Sequence, residues 1–329
     1  MAQPHVIVLG TGGTIASRHD PETGATRIVA SGEELVEAIP ALSEVANVEV
    51  ETVFTKASFC LTPDEVLVLA GAVRQHLTRN EVAGVVITHG TDTMEESAFL
   101  LDLLIDAAAK PVVFTGAQLS GDMDGADGPR NLINAVRVAA DPAARGIGVV
   151  LAFADSVFAA RDVTKAHTSR LEPFVSTRGA RRGQISRDAV QVFGPATPRP
   201  TYAIDHLVTD VALIHLAMGM GADFFEHALA RGARGIVLAA FGIGNANPEI
   251  VACVEQATAR GVPVVVTSRC GAGRVAPIYA HGGGRDLEAA GAIFAGDLAC
   301  EKARLALMVL LARGNDLAGI RDEMALVAT

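Results

Sequence analysis

A chain of 329 residues, half of them apolar and only 19% charged, can bury one or two sizeable cores and is too hydrophobic to stay disordered. Its 37 acidic and 27 basic side chains leave a formal net charge of -10, which excludes the basic footprint that nucleic acid or an anionic membrane surface demands. Mean hydropathy is +0.34, yet glycine, a charge or a polar residue cuts every apolar run well before the ~20 residues that cross a bilayer, so the excess belongs to a buried core.

The opening residues, M-A-Q-P-H-V-I-V-L-G, carry no basic leader ahead of the apolar stretch and read as a first core strand rather than an export signal. Short β-branched runs, glycine-rich turns and helix-like segments then alternate, the pattern of a parallel sheet wrapped by helices, so the fold class is α/β. Strands are predicted at 6–9, 48–54, 82–88, 112–115 and 147–153, with helices at 32–38, 64–78, 94–108 and 129–139. The rhythm breaks at F-G-P-A-T-P-R-P-T-Y, residues 193–202, where three prolines in six residues oppose both helix and ladder. A linker is predicted over 193–210, between an N-terminal α/β domain at 1–192 and a smaller α/β domain at 211–329. Strands at 211–216, 236–240 and 262–267 and helices at 224–231, 248–260 and 299–312 fill the second domain. The four cysteines, Cys60, Cys253, Cys270 and Cys300, are widely spaced, with no C-x-x-C and no nearby histidine pair; reduced thiols, a cytoplasmic setting and no bound metal follow as expectations.

Three segments could carry chemistry. V-I-V-L-G-T-G-G-T-I-A-S, residues 6–17, runs a buried strand into a glycine turn, but Ile15 stands where a dinucleotide fingerprint needs its third glycine. A nicotinamide-linked oxidoreductase is therefore disfavoured, and the turn is expected to present the hydroxyls of Thr11 and Thr14 at the carboxyl end of a strand. V-V-I-T-H-G-T-D-T-M-E-E-S-A, residues 85–98, is a second strand, turn and helix. Thr91, Asp92 or Thr93 could be a plain helix cap, with Glu95 and Glu96 favouring the positive end of the dipole. Caps need one such residue, and His89 to Thr93 in succession supply more, so a site outweighs a cap here. The third segment, A-A-R-D-V-T-K-A-H-T at 159–168, holds Lys165, the only lysine between Lys110 and Lys302. Alone it reads as a solvated surface residue; beside a hydroxyl it could accept a proton or pair with an acid.

Together with A-D-G-P-R-N-L-I-N-A-V (126–136) and G-I-G-N-A-N (242–247), these segments resemble the bacterial-type L-asparaginase and glutaminase-asparaginase family, in order and at similar spacing over most of the chain. The resemblance implies a flavodoxin-like N-terminal domain and a smaller α/β C-terminal domain, assembled as intimate dimers that pair into a homotetramer. It implies hydrolysis of the side-chain amide of L-asparagine to L-aspartate and ammonia, with a small-molecule amide substrate and no cofactor, metal, nucleic acid or membrane. Carried over by position, Thr14 resembles the nucleophile, and Thr91, Asp92 and Lys165 a second threonine with its polarising partners. Asp92 also matches the carboxylate that holds the substrate α-ammonium, and Ser58 the residue that holds its α-carboxylate. Backbone N–H groups near Thr91 and Ala117 match the oxyanion donors, and Asn247 an asparagine at the subunit interface.

Three positions depart from the family pattern. The segment 18–30 has no tyrosine, and Ala25 stands where one is expected. Phe59 follows Ser58 in place of Gln or Glu. Gly284 and Arg285 align with an acidic cross-dimer contact, which a shift of two to four residues would return to Asp286 or Glu288. Losing two polar ammonium contacts, at about 1–3 kcal/mol each, suits a substrate with an apolar or carboxylate group there. The alternatives are thus an amidase of the same family for an amide lacking a free α-ammonium, or a non-catalytic ligand-binding homologue.

Overall fold

The computed structural model describes all residues except 1, 2, 20–22, 24, 25, 29, 30 and 195–198. The chain divides into two compact units, 1–201 and 202–329. In the first, the strands are β1 (His5–Gly12), β2 (Ser17–His19), β3 (Thr26–Ile28), β4 (Asn47–Lys56), β5 (Val82–Thr88), β6 (Val112–Thr115), β7 (Val149–Phe153), β8 (Ser156–Ala159), β9 (Val163–Lys165), β10 (Phe174–Ser176), β11 (Gly183–Ser186) and β12 (Ala189–Val192). Its helices are α1 (Gly32–Glu37), α2 (Pro63–Leu77), α3 (Met94–Leu104) and α4 (Gly128–Ala140).

Eight of these strands form one sheet in the order β12-β11-β8-β7-β6-β5-β1-β4. From β4 to β7 the neighbours are parallel, and the remaining three strands add as antiparallel hairpins. Numbered by first appearance, the parallel strands run 2-1-3-4-5, the flavodoxin-like order expected from the resemblance. In that order the chain crosses from one face of the sheet to the other between the first and third strands, here β1 and β5. A crevice must open where their carboxyl ends part, and ligands bind there.

The sequence accounts for this core directly. Strands β5, β6 and β7 are continuous apolar runs because helices cover both faces of a parallel sheet, and all but one of their residues are buried. One face is sealed by α4 and the small helix α1, with Val6, Val8, Val86, Val113 and Leu132 meeting in a single cluster. Helix α2 starts at Thr62 through a reciprocal capping box with Glu65, and Pro63 occupies its first turn, where a missing N–H costs nothing.

The second unit has a four-stranded parallel sheet, β13 (Val211–His215), β14 (Gly235–Ala240), β15 (Val264–Ser268) and β16 (Ile293–Phe294), in sequential order. Its helices are α5 (Asp223–Ala230), α6 (Pro248–Ala259), α7 (Gly284–Ala289), α8 (Cys300–Ala312) and α9 (Leu317–Val327). The principal strands and helices lie within a few residues of their expected positions. The hairpins between 156 and 192, α7, β16 and α9 have no counterpart among the expected elements, because strands of two to four residues and a six-residue helix are too short to show a period, and α9 buries only Ile320, Met324 and Val327. Part of the predicted linker, residues 195–198, lies outside the described residues.

Candidate active site

The turn after β1 is built from Gly12 and Gly13, both at positive φ (96° and 87°). A Cβ on Gly13 would fall 2.5 Å from Gly90 Cα, and one on Gly90 would fall 2.7 Å from Ser58 Oγ. Glycine at both positions therefore lets three turns meet: the one carrying Thr14, the one carrying Thr91 and the one carrying Ser58. Around them lies a cavity of about 280 Å³, lined by Gly13, Thr14, Ser17, Ala57, Ser58, Phe59, Gly90, Thr91, Asp92, Gln118, Lys165 and Thr168. It opens beside the carboxyl ends of β1 and β5, at the switch point of the sheet.

Six of the eight predicted site residues line this cavity: Thr14, Ser58, Phe59, Thr91, Asp92 and Lys165. Lys165 Nζ donates to Thr91 Oγ1 at 2.8 Å and to Asp92 Oδ1 at 2.7 Å. Its side chain is 14% exposed whereas that of Asp92 is 55% exposed, so the amine is sheltered and the carboxylate still faces water. The lysine that reads alone as a surface residue is brought by the fold to the turn after β5, 74 positions away along the chain.

Thr91 is held from the other side by Gln118, whose Oε1 accepts its hydroxyl proton at 2.9 Å. The Gln118 amide nitrogen donates in turn to Arg170 O at 3.0 Å. Sequence reasoning misses Gln118, although it follows T-G-A after β6, the next strand along the same sheet edge. Asp127 positions this turn by accepting the backbone N–H groups of Gln118 and Leu119.

Thr93 corrects the capping alternative. It stands at the N-cap of α3, but its side chain caps nothing; the hydroxyl donates to Ser58 O at 2.8 Å instead. Thr11 does not present its hydroxyl to the crevice as expected either. It is buried and donates to Thr88 O at 2.8 Å, stapling β1 to β5. An inward side chain of a strand flanked on both sides has no route to the edge, whereas Thr14, beyond the turn, does.

His89 is fully buried against the Phe114 ring and donates from Nδ1 to Gly90 O at 2.7 Å. Burial pulls its pKa down to about 4, so it is neutral at physiological pH. Ala117 packs its side chain into the core behind the cavity wall, next to Gln118. Ala25 lies outside the described residues. Among the described residues, no three His, Cys, Asp or Glu side chains converge as a metal site would require. No described helix is long and apolar enough to cross a membrane.

In the second unit, Asn247 caps α6: its Oδ1 accepts Ile250 N–H and its Nδ2 donates to Met220 O, both at 2.9 Å. The segment that includes Arg285 packs beside it, with Ala246 N–H bonded to Gly282 O. Asp286 accepts Gly282 N–H at 2.7 Å through Oδ2. A larger groove, about 590 Å³, follows β13 and α5 but has no lysine to pair with a hydroxyl and a carboxylate.

Both units match known protein families. Residues 5–198 match the family model described as "Asparaginase, N-terminal", and residues 210–324 match "Glutaminase/Asparaginase C-terminal domain". A "Probable L-asparaginase" of Deinococcus radiodurans is 38% identical over 97% of this chain and 96% of its own length. "L-asparaginase 2" of Bacillus subtilis is 33% identical over 95% of this chain and 84% of its own. A glutamyl-tRNA(Gln) amidotransferase component of Pyrococcus furiosus is 34% identical over 98% of this chain and 75% of its own.

Proposed function

The chain belongs to the asparaginase family and is an amidohydrolase, and from that premise we propose that it hydrolyses the side-chain amide of L-asparagine to L-aspartate and ammonia, with Thr14 as nucleophile. The observation that carries this reading is the Lys165 amine bridging the Thr91 hydroxyl and the Asp92 carboxylate in the cavity that Thr14 lines.

In the proposed reaction, Thr14 Oγ attacks the amide carbon and forms an ester as the C–N bond breaks. The hydroxyl proton passes to the departing nitrogen, which leaves as ammonia. Water then attacks the ester; its proton returns to Thr14 Oγ and the carboxylic acid is released. Lys165 and Asp92 polarise the Thr91 hydroxyl, which relays the proton taken from the incoming water. Ser58 holds the substrate α-carboxylate and Asp92 its α-ammonium. Backbone N–H groups near Thr91 and Ala117 stabilise the oxyanion, at a scale of about 10²–10³ in rate for one such donor.

The assembly we propose is a cytoplasmic homotetramer of intimate dimers, in which Asn247 of one subunit completes the site of another. All four cysteines are free, in keeping with a reducing compartment.

The relatives differ in the substrate that their names imply, so the amide is decided by assay: ammonia release from L-asparagine, L-glutamine, their D-forms and amides without the amino group. Thr14→Ala and Thr91→Val should each lower turnover more than about a thousandfold with the fold intact. Wild-type turnover by either variant would overturn the assignment. One observation favours a second reading, an amide lacking a free α-ammonium. Phe59 lines the cavity and is 72% exposed, an apolar surface in a site where, among the described residues, the single lining carboxylate already binds Lys165.

A further inference from the structure

Lys165 sits on β9, which pairs with β10 in a ribbon separate from the eight-stranded sheet. A two-stranded ribbon of three residues a side is marginal by itself, yet the amine it carries must be held closely in place to serve Thr91. A backbone bond ties this ribbon to the rest of the site: the N–H of Lys165 donates to Glu95 Oε2 at 3.1 Å. Glu95 lies in the first turn of α3, the helix whose preceding turn carries Thr91 and Asp92. The same helix start reaches in the other direction as well, where the Thr93 hydroxyl holds Ser58 O at 2.8 Å.

We propose that Glu95 and Thr93 are positioning residues: Glu95 sets the Lys165 amine on the Thr91 hydroxyl, and Thr93 sets the Ser58 turn that receives the substrate carboxylate. Neither touches the reacting atoms. The helix start thereby acts as a common reference for two groups that the topology delivers on separate ribbons and turns. Acids in a first helical turn need no further reason than the helix dipole. The dipole, however, favours any orientation of Glu95, whereas the observed bond selects the one that reaches Lys165. The proposal rests on the amidohydrolase reading for the roles of Lys165 and Ser58.

The two bonds should separate kinetically. Glu95→Met, which fills similar volume without an acceptor, should lower kcat about ten- to a hundredfold, the scale of a roughly 1 Å misplacement of a reacting group, with KM within about threefold. Glu95→Gln keeps an acceptor oxygen and should retain kcat within about threefold. Thr93→Val should raise KM about three- to tenfold with kcat nearly unchanged, and Thr93→Ser should restore it. A charge or folding effect would not reproduce this pattern, because Gln removes the charge and the Met variant alone loses the acceptor.

The assays are steady-state ammonia release by the full-length protein and hydrogen exchange at the Lys165 amide. Exchange should quicken at least about tenfold in Glu95→Met and stay slow in Glu95→Gln. Equal kcat in wild type and Glu95→Met, or equal losses in the Met and Gln variants, would overturn the inference while leaving the function standing. If the wild type released no ammonia from any amide tested, the functional reading would fall. The positioning by Glu95 would then be decided by exchange alone, with equal rates in both variants overturning it.

Discussion

Replacing Lys165 by Met removes the amine from Thr91 and Asp92 while keeping much of the side-chain volume. Two hydrogen bonds to a charged group are lost, at 2.8 and 2.7 Å. Bonds of this kind are worth about 1.5–3 kcal/mol each when sheltered. The Asp92 bond must be discounted, because that carboxylate is more than half exposed and water replaces the amine there. The Thr91 bond is not replaced in the same way, since Thr91 is buried and Gln118 holds its other side. Stability should therefore fall by about 1.5–3 kcal/mol, the Thr91 bond alone, with a Tm shift of a few degrees.

Catalysis should suffer more, because in the proposed reaction the lost interaction is made to the hydroxyl that relays a proton. Taking about 3–5 kcal/mol of transition-state stabilisation for the pair, kcat should fall roughly 10²–10⁴-fold, one decade for each 1.36 kcal/mol. Lys165→Arg separates charge from geometry: guanidinium keeps the positive charge, but its planar fork cannot take the place of a compact ammonium that donates to Thr91 Oγ1 and Asp92 Oδ1 together. Arg should therefore recover little activity. The measurement is steady-state ammonia release alongside a thermal melt. Turnover within fivefold of wild type in Lys165→Met, at an unchanged melting temperature, would refute the role given to the Thr91–Lys165 pair.

Phe59→Gln should improve the use of free asparagine relative to an amide without the α-amino group, by roughly ten- to a hundredfold in the ratio of kcat/KM values. Micromolar KM for asparagine in the wild type, with no turnover of the deaminated analogue, would sink the second reading. Sedimentation of the active protein should show a homo-oligomer, and a fully active monomer would rule out a site completed by Asn247 of a neighbour. His89 adds a pH dependence to folding. Its folded pKa of about 4 lies below the ordinary ~6.5, so between those values the unfolded chain binds a proton that the folded one does not. Stability should then rise with pH across that window, by up to about 3 kcal/mol, and His89→Phe should flatten this part of the curve. An unchanged slope in chemical denaturation between pH 4 and 6.5 would contradict the burial of a neutral imidazole.

What the linear sequence determines is the part of the site whose residues follow directly on a buried strand. The runs V-I-V-L-G-T-G-G-T and V-V-I-T-H-G-T-D-T declare both the strand and the turn that ends it, because a doubly covered parallel strand must be apolar throughout and must stop where polar residues begin. Thr14, Thr91 and Asp92 are legible for that reason, and so is the α/β class. Lys165 becomes legible only through the family resemblance, since a lysine on a short edge ribbon has no local signature.

Tertiary structure decided the rest. That the turns after β1 and β5 share one crevice depends on the sheet order, which puts those strands side by side although β4 intervenes in sequence. Thr11 and Thr14 look alike on paper, but one hydroxyl is trapped between strands and the other stands beyond the turn. Gln118, Glu95 and Thr93 act through bonds that span 27, 70 and 35 positions, and such long-range partners leave no periodic trace. Local pattern reports burial and turn chemistry, whereas a hydrogen bond between distant elements exists only once packing has brought them together.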